Sequence, residues 1–355
     1  MRIHAIPPFT TLSLVVVVSA VVGCATLLVG CAETDDSADA EAETVDAVKR
    51  IVATDLEALH AAAVALQAAA PAPDADGWNA TDDAAAVDEM RRHWSDARNA
   101  YERIEGAIAV LFPDLDASTD ERYDGFLAEG PDDDLFDDEG VTGVHGIERI
   151  LWADAHPAST IAFESAIPGY TAAAYPADAA QATAFRDALL QRLVDDIALM
   201  QTSFEPLALD AAAAYGGVLG SMSEQIEKIE LAATGEDESR YAQHTLADMR
   251  ANLEGGRLIF AAFEPWLEEE NGDAVIADVH ARFDAVQAAY DALPGTALPA
   301  IPEGWNPDAP DADDLATPYG TLWSLLVDEV DPEQQDRMVS RMSEAADLLD
   351  IPVLP

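Results

Sequence analysis

Gly143-Val144-His145-Gly146-Ile147-Glu148-Arg149-Ile150-Leu151-Trp152 reads as a helix under two demands. Val144, Ile147, Ile150 and Leu151 recur at the three-and-four spacing of one apolar helix face, which presses the segment into a core. His145 and Glu148 stand one turn apart on that same helix. An imidazole and a carboxylate so placed can share one cation, or they can be satisfied by neighbours inside a helix bundle. Either way they need partners, because unpaired buried polar groups are costly.

Upstream, Trp94 to Glu105 repeats the pattern. Arg98, Glu102 and Glu105 fall at i, i+4 and i+7 and form one stripe on a helix expected over about 84–111. Two carboxylates one turn apart repel unless a cation lies between them. Arg98 is one such cation; a metal bridging Glu102 and Glu105 to His145 is the other. Asp116 and Asp120 follow in Leu111 to Arg122, and Glu148 is either a further ligand or the group that orients His145. Downstream, His244, Asp248 and Asn252 occupy one face at i, i+4 and i+8, a stripe that is either solvated or turned into a cleft as a second site.

The rest of the chain is helical in period as well. Val45, Val48, Ile51, Val52, Leu56, Leu59, Ala63 and Leu66 make one face of a helix over about 44–69. Further helices are predicted near 144–155, 178–204, 207–234, 237–269, 272–293 and 318–348, with residues 113–141 irregular and acidic. No alternating β pattern of useful length occurs. The fold class is all-α, with up-and-down helices and enough residues for two bundles.

Residues 3–32 carry no Asp, Glu, Lys or Arg, and residues 12–30 are strongly apolar. This is a signal-peptide pattern covering residues 1–30. Leu28-Val29-Gly30-Cys31 reads as a lipobox with Cys31 as the lipidated residue. Val21-Val22-Gly23-Cys24 also fits, but Cys31 has Leu at its −3 position and a polar segment directly after it. An uncleaved membrane anchor is the alternative. Residues 31–43 are expected to be a polar tether. Cys24 and Cys31 are the only cysteines, so a site in the exported part must use carboxylates, imidazole and water. Those donors suit iron, manganese, zinc or calcium better than monovalent copper.

The net charge is −50, with 68 Asp and Glu and only two lysines, Lys49 and Lys228. Nucleic acid is excluded as a partner, because phosphate contact needs a basic face. The acids are spread along the whole chain, which favours a salt-adapted, halophilic surface over a local cation collector.

Tyr101-Glu102-Arg103-Ile104-Glu105, then Leu115 to Arg122, then Gly143 to Trp152, then Glu236 to Gly256 with Tyr241, His244, Asp248 and Asn252, resemble in order and spacing the imelysin-like family, and within it the EfeO/EfeM type of iron-uptake lipoprotein. The resemblance covers about residues 40–350. It implies two packed four-helix bundles over 44–350, with halves of about 44–175 and 176–350, in a short form without the N-terminal cupredoxin domain. The acidic run Asp132 to Glu139 is longer than the resemblance leads one to expect. The implied function is an exported, lipid-anchored envelope protein, facing the periplasm or the extracellular side. It would capture a divalent or trivalent cation for an Efe-type membrane iron permease and its haem peroxidase partner. The cation is iron first, with zinc, copper or calcium as alternatives. The site residues are Glu102, Glu105, Asp120, His145 and Glu148. Two other classes stay open. A metallopeptidase would need a His-Glu-x-x-His helix, whereas Gly146 follows His145 here. A non-catalytic envelope ligand-binding protein is the third.

Overall fold

The computed structural model of the protein describes residues 35–79, 81–331 and 334–352. The expected signal peptide and both Cys31 and Cys24 lie outside the described residues. Among these residues there are helices and no strand. In chain order they are α1 (Asp35–Ala68), α2 (Ala84–Glu102), α3 (Glu105–Leu111), α4 (Pro113–Asp120), α5 (Tyr123–Glu129), α6 (Gly143–Leu151), α7 (Ala158–Glu164), α8 (Ala179–Ala184), α9 (Leu190–Phe204), α10 (Ala211–Thr234), α11 (Thr245–Glu269), α12 (Asp273–Asp291), α13 (Ala312–Leu315), α14 (Pro318–Val330) and α15 (Met338–Leu348). A single π turn, Phe185–Leu189, joins α8 to α9.

The helix α1 packs along α2 and α9, while α10 packs along α11, α14 and α15. The helix α11 also lies against α1 and α2, and α3 lies against α10, so one face joins the two sets. A continuous apolar core runs through both, from Val48, Val52, Leu56 and Leu59 of α1 to Phe260, Phe263, Phe283 and Met342.

Several boundaries differ from those the sequence leads one to expect, each for a local reason. Helix α1 begins at Asp35, so the described part of the expected tether is helical. Its Ala and Glu residues are good helix formers. Helix α10 starts at Ala211 because the Asp210 carboxylate accepts the Ala213 N–H at 2.7 Å. The expected helix 84–111 is broken at Arg103–Ile104, where α11 comes so close that a Cβ at Gly255 would run into the Arg103 backbone carbonyl. The segment 113–141 is not irregular throughout. It carries α4 and α5, with a small core of Tyr123, Leu127 and Val141 beneath them. Residues 236–244 are not helix: the N–H groups of Tyr241 and Ala242 are donated to a side chain of α6.

Gly143 opens α6 with a left-handed backbone, φ +71°, and a Cβ there would be driven into the Thr119 carbonyl oxygen. Only glycine meets both conditions. The close approach sets the start of α6 against the end of α4, which brings Asp120 beside His145. Gly143→Ala should therefore cost about 2 kcal/mol or more. Urea unfolding monitored by circular dichroism measures this; a loss below about 0.5 kcal/mol would show that α4 shifts freely.

Candidate cation site

The helices α2, α3, α4, α6, α10 and α11 and the 236–244 loop converge on one buried polar cluster. Arg98 is fully buried at its centre. Its guanidinium pairs with Asp120, Glu102 and Glu238, and its Nε lies 3.6 Å from Asp248 Oδ1. Lys228 of α10 is the second cation. Its Nζ lies 2.6 and 2.7 Å from the two Glu238 oxygens, 3.3 Å from Glu102 Oε1, and 3.0 Å from Glu105 Oε2.

His145 is oriented from behind. Glu148 Oε2 lies 2.8 Å from its Nδ1, and Glu148 Oε1 accepts the N–H groups of Tyr241 and Ala242 at 2.9 and 2.7 Å. With both Glu148 oxygens engaged as acceptors, Nδ1 carries the hydrogen and Nε2 presents a lone pair. That Nε2 is buried without a hydrogen-bond partner and lies 3.4 Å from Asp120 Oδ1. Two lone-pair atoms at that separation call for a cation or proton between them. Donors bound at about 2.1 Å to one tetrahedral ion stand about 3.4 Å apart. The Tyr241 hydroxyl donates to Glu164, which also accepts Arg149 Nε at 3.1 Å, so the 236–244 loop is held to α6 and α7 at a second point.

The sequence-predicted residues fall into two adjoining groups rather than one sphere. Asp120 and His145 meet Glu238, and Glu102 and Glu105 meet the same Glu238, with candidate ligand atoms in each group within 4.8 Å of one another. Glu148 stands behind His145. The downstream stripe joins this cluster too: Asp248 faces Arg98, and Asn252 donates to Glu105 Oε2 at 3.0 Å. His244 sits one step before α11, its Nε2 3.9 Å from Asp248 and 3.4 Å from Asn99 Oδ1. Two further members of the cluster, Glu238 and Lys228, carry no signal of it in the sequence. Glu238 lies inside the Glu236-to-Gly256 stretch but on a loop, where no helical period marks it. Asp116 accepts the Tyr101 hydroxyl at the edge of the cluster. The four other described histidines, His60, His93, His156 and His280, are all half-buried. His156, for instance, stacks on Tyr241 and lies 2.8 Å from the Arg149 carbonyl.

Two fixed cations serve six carboxylates, and the electrostatics follow from that deficit. Burial pushes Asp120 up to about 6, against the pull of Arg98, and Asp248 up to about 7. Burial likewise raises Glu102, Glu105 and Glu148. It pushes Glu238 upward too, but Lys228 and Arg98 outweigh it and hold that carboxylate well below the usual range. Burial lowers the His145 pKa, so the ring is neutral and able to act as a ligand. Protons thus fill a deficit that a multivalent cation can fill instead. A cavity of about 240 Å³, lined by Glu105, Asp116, Asp120, Glu224, Lys228 and Glu238, reaches the cluster.

An all-helical protein with a buried carboxylate–imidazole cluster where its helix sets meet is the class that this fold and site define. The chain belongs to the imelysin family, the peptidase M75 group, whose model matches residues 44–346. It is 27% identical over 207 residues to the iron uptake system component EfeO of Escherichia coli K12, and equally to EfeO of Shigella flexneri. These matches cover 58% of this chain and 45% of each relative, so the chain spans about half the length of the curated relatives it matches. An imelysin-like protein from Psychrobacter arcticum shares the fold, with a TM-score of 0.52 and 15% identity over 93% of this chain and all of that one.

Proposed function

We propose that this protein takes part in iron uptake by capturing a hard cation at the cluster. Asp120, His145 and Glu238 are the first ligands, Glu102 and Glu105 the adjoining carboxylates, and Glu148 the group that orients His145. The observation that carries this reading is the buried, unpartnered Nε2 of His145 aimed at Asp120. The likeness to EfeO supports iron as the cargo. Carboxylates and one imidazole suit iron in either oxidation state, with zinc, copper or calcium as weaker fits. Export with a lipid anchor on Cys31, delivery to a membrane permease with a haem peroxidase partner, a halophilic surface, and bundle halves of about 44–175 and 176–350 belong to the same proposal.

Saturation with Fe²⁺ under argon should stabilise the protein by about 2.7 kcal/mol at a hundredfold excess over Kd. His145→Ala should remove most of that gain and leave the metal-free fold intact, since Val144, Ile147 and Leu151 stay in place. Affinity should fall as pH drops from 7.5 to 5.5, because Asp120 and Asp248, raised to about 6 and 7, take up protons across that range. Calorimetric titration of both proteins at the two pH values is the test. Equal affinity in His145→Ala and wild type would mean that α6 serves packing alone.

A further inference from the structure

Lysine has been all but removed from this chain. Against 68 acids there are two, and one of them is buried in the cation cluster. The Nζ of Lys228 sits among Glu102, Glu105 and Glu238, within 3.3 Å of an oxygen of each. Those three carboxylates converge as a metal-ligand group would, so the ammonium holds the place of an ion. It also holds both oxygens of Glu238, the residue shared with Asp120 and His145.

We propose that Lys228 is a tethered competitor: its ammonium fills the Glu102–Glu105–Glu238 group when no cargo is bound, and the incoming cation displaces it. The inference rests on the cation-capture reading above. It also rests on the unpartnered, buried His145 Nε2, which points to a ligand independently of the acids. A multivalent ion on Glu238 meets an ammonium within bonding distance of the same oxygens, and like charges that close repel strongly in a desolvated site. The long, flexible lysine stem can yield. Its retreat is prepared: Glu224 stands one turn earlier on α10 and lines the same cavity, as does Glu227. Displacement has a consequence for affinity. A site mostly occupied by its own lysine binds cargo more weakly by the fraction of molecules in which it is free. The protein then holds its cation loosely enough to hand it on.

The test uses Mn²⁺, which needs no redox control, and two readouts. Lys228→Met, close in length and uncharged, should bind Mn²⁺ at least tenfold more tightly than wild type in calorimetry. Separately, the chain has only two lysines, so acetylation by an N-hydroxysuccinimide ester followed by mass spectrometry reports each one alone. Saturating Mn²⁺ should raise the labelling rate of Lys228 several-fold while Lys49, whose ammonium is held by the Glu205 and Leu207 carbonyls instead, stays constant. The labelling stands even if Lys228→Met fails to fold. Equal or weaker binding by a folded Lys228→Met, or unchanged Lys228 labelling in wild type that binds Mn²⁺, overturns the competitor and leaves cation capture standing. Binding by Lys228→Met where wild type binds too weakly to detect supports it. Uptake by neither protein overturns both readings.

Discussion

Arg98→Met should lower the stability of the metal-free protein by about 3–5 kcal/mol at pH 7.5, the range for removing one partner from a buried ion network. Methionine fills much the same space with a flexible chain, so the loss is electrostatic rather than steric. The guanidinium is the common partner of Asp120, Glu102 and Glu238 and faces Asp248 as well. Without it, Glu102, Glu238, Asp120 and Asp248 all lose that charge in a cluster that is largely buried. They will respond by taking up protons, which fixes the sign with pH. A group whose folded pKa is raised above its unfolded value adds stability at low pH and loses it as pH rises through the folded value. The gap between variant and wild type should therefore be widest at pH 7.5 and narrow towards pH 5. Urea unfolding at the two pH values measures it. A difference below about 1 kcal/mol at pH 7.5 would show that solvent screens the cluster.

Glu238→Gln should weaken cation binding at least a hundredfold, about 2.7 kcal/mol, and should also lower the stability of the metal-free fold, because Arg98 and Lys228 both lose their charged partner. The amide keeps the shape and removes the one carboxylate that both ligand groups share. It is also the carboxylate that Lys228 and Arg98 hold ionised, so no proton has to leave it before a cation arrives. Glu227→Gln is the control. That residue lines the cavity but belongs to neither ligand group, and its affinity should stay within about threefold of wild type. If Glu238→Gln binds as wild type does, the cation does not sit between the two groups.

Much of this was legible in the sequence because helices repeat. The face of α1, with Val48, Val52, Leu56 and Leu59 all buried, follows from periodicity alone, and so does the pairing of His145 with Glu148. Asp248 and Asn252 were legible as one stripe on α11, but not the surface that stripe meets. That depends on how α11 lies against α2 and α3, which no local pattern encodes. Glu238 was hidden for a different reason. A loop has no period, and its direction is set by the backbone N–H groups that Tyr241 and Ala242 give to Glu148. Lys228 was visible as a rare residue but not as a buried one, because its neighbours on α10 show only the ordinary spacing of a packed helix.

The sequence distances within the cluster have a kinetic meaning. Glu102 and Lys228 are 126 residues apart, Arg98 and Glu238 140, and Asn252 and Glu105 147. Each pairing closes a very long loop, and such contacts come late because the chain must surrender its freedom before they return anything. Helices such as α1 and α2 can form and collapse while the acids of the future site are still scattered and solvated. A half-assembled chain therefore has no cation trap, only dispersed carboxylates. The ability to hold an ion appears with the final docking of α10 and α11 onto α2 and α3, which makes cation capture a signature of the finished molecule.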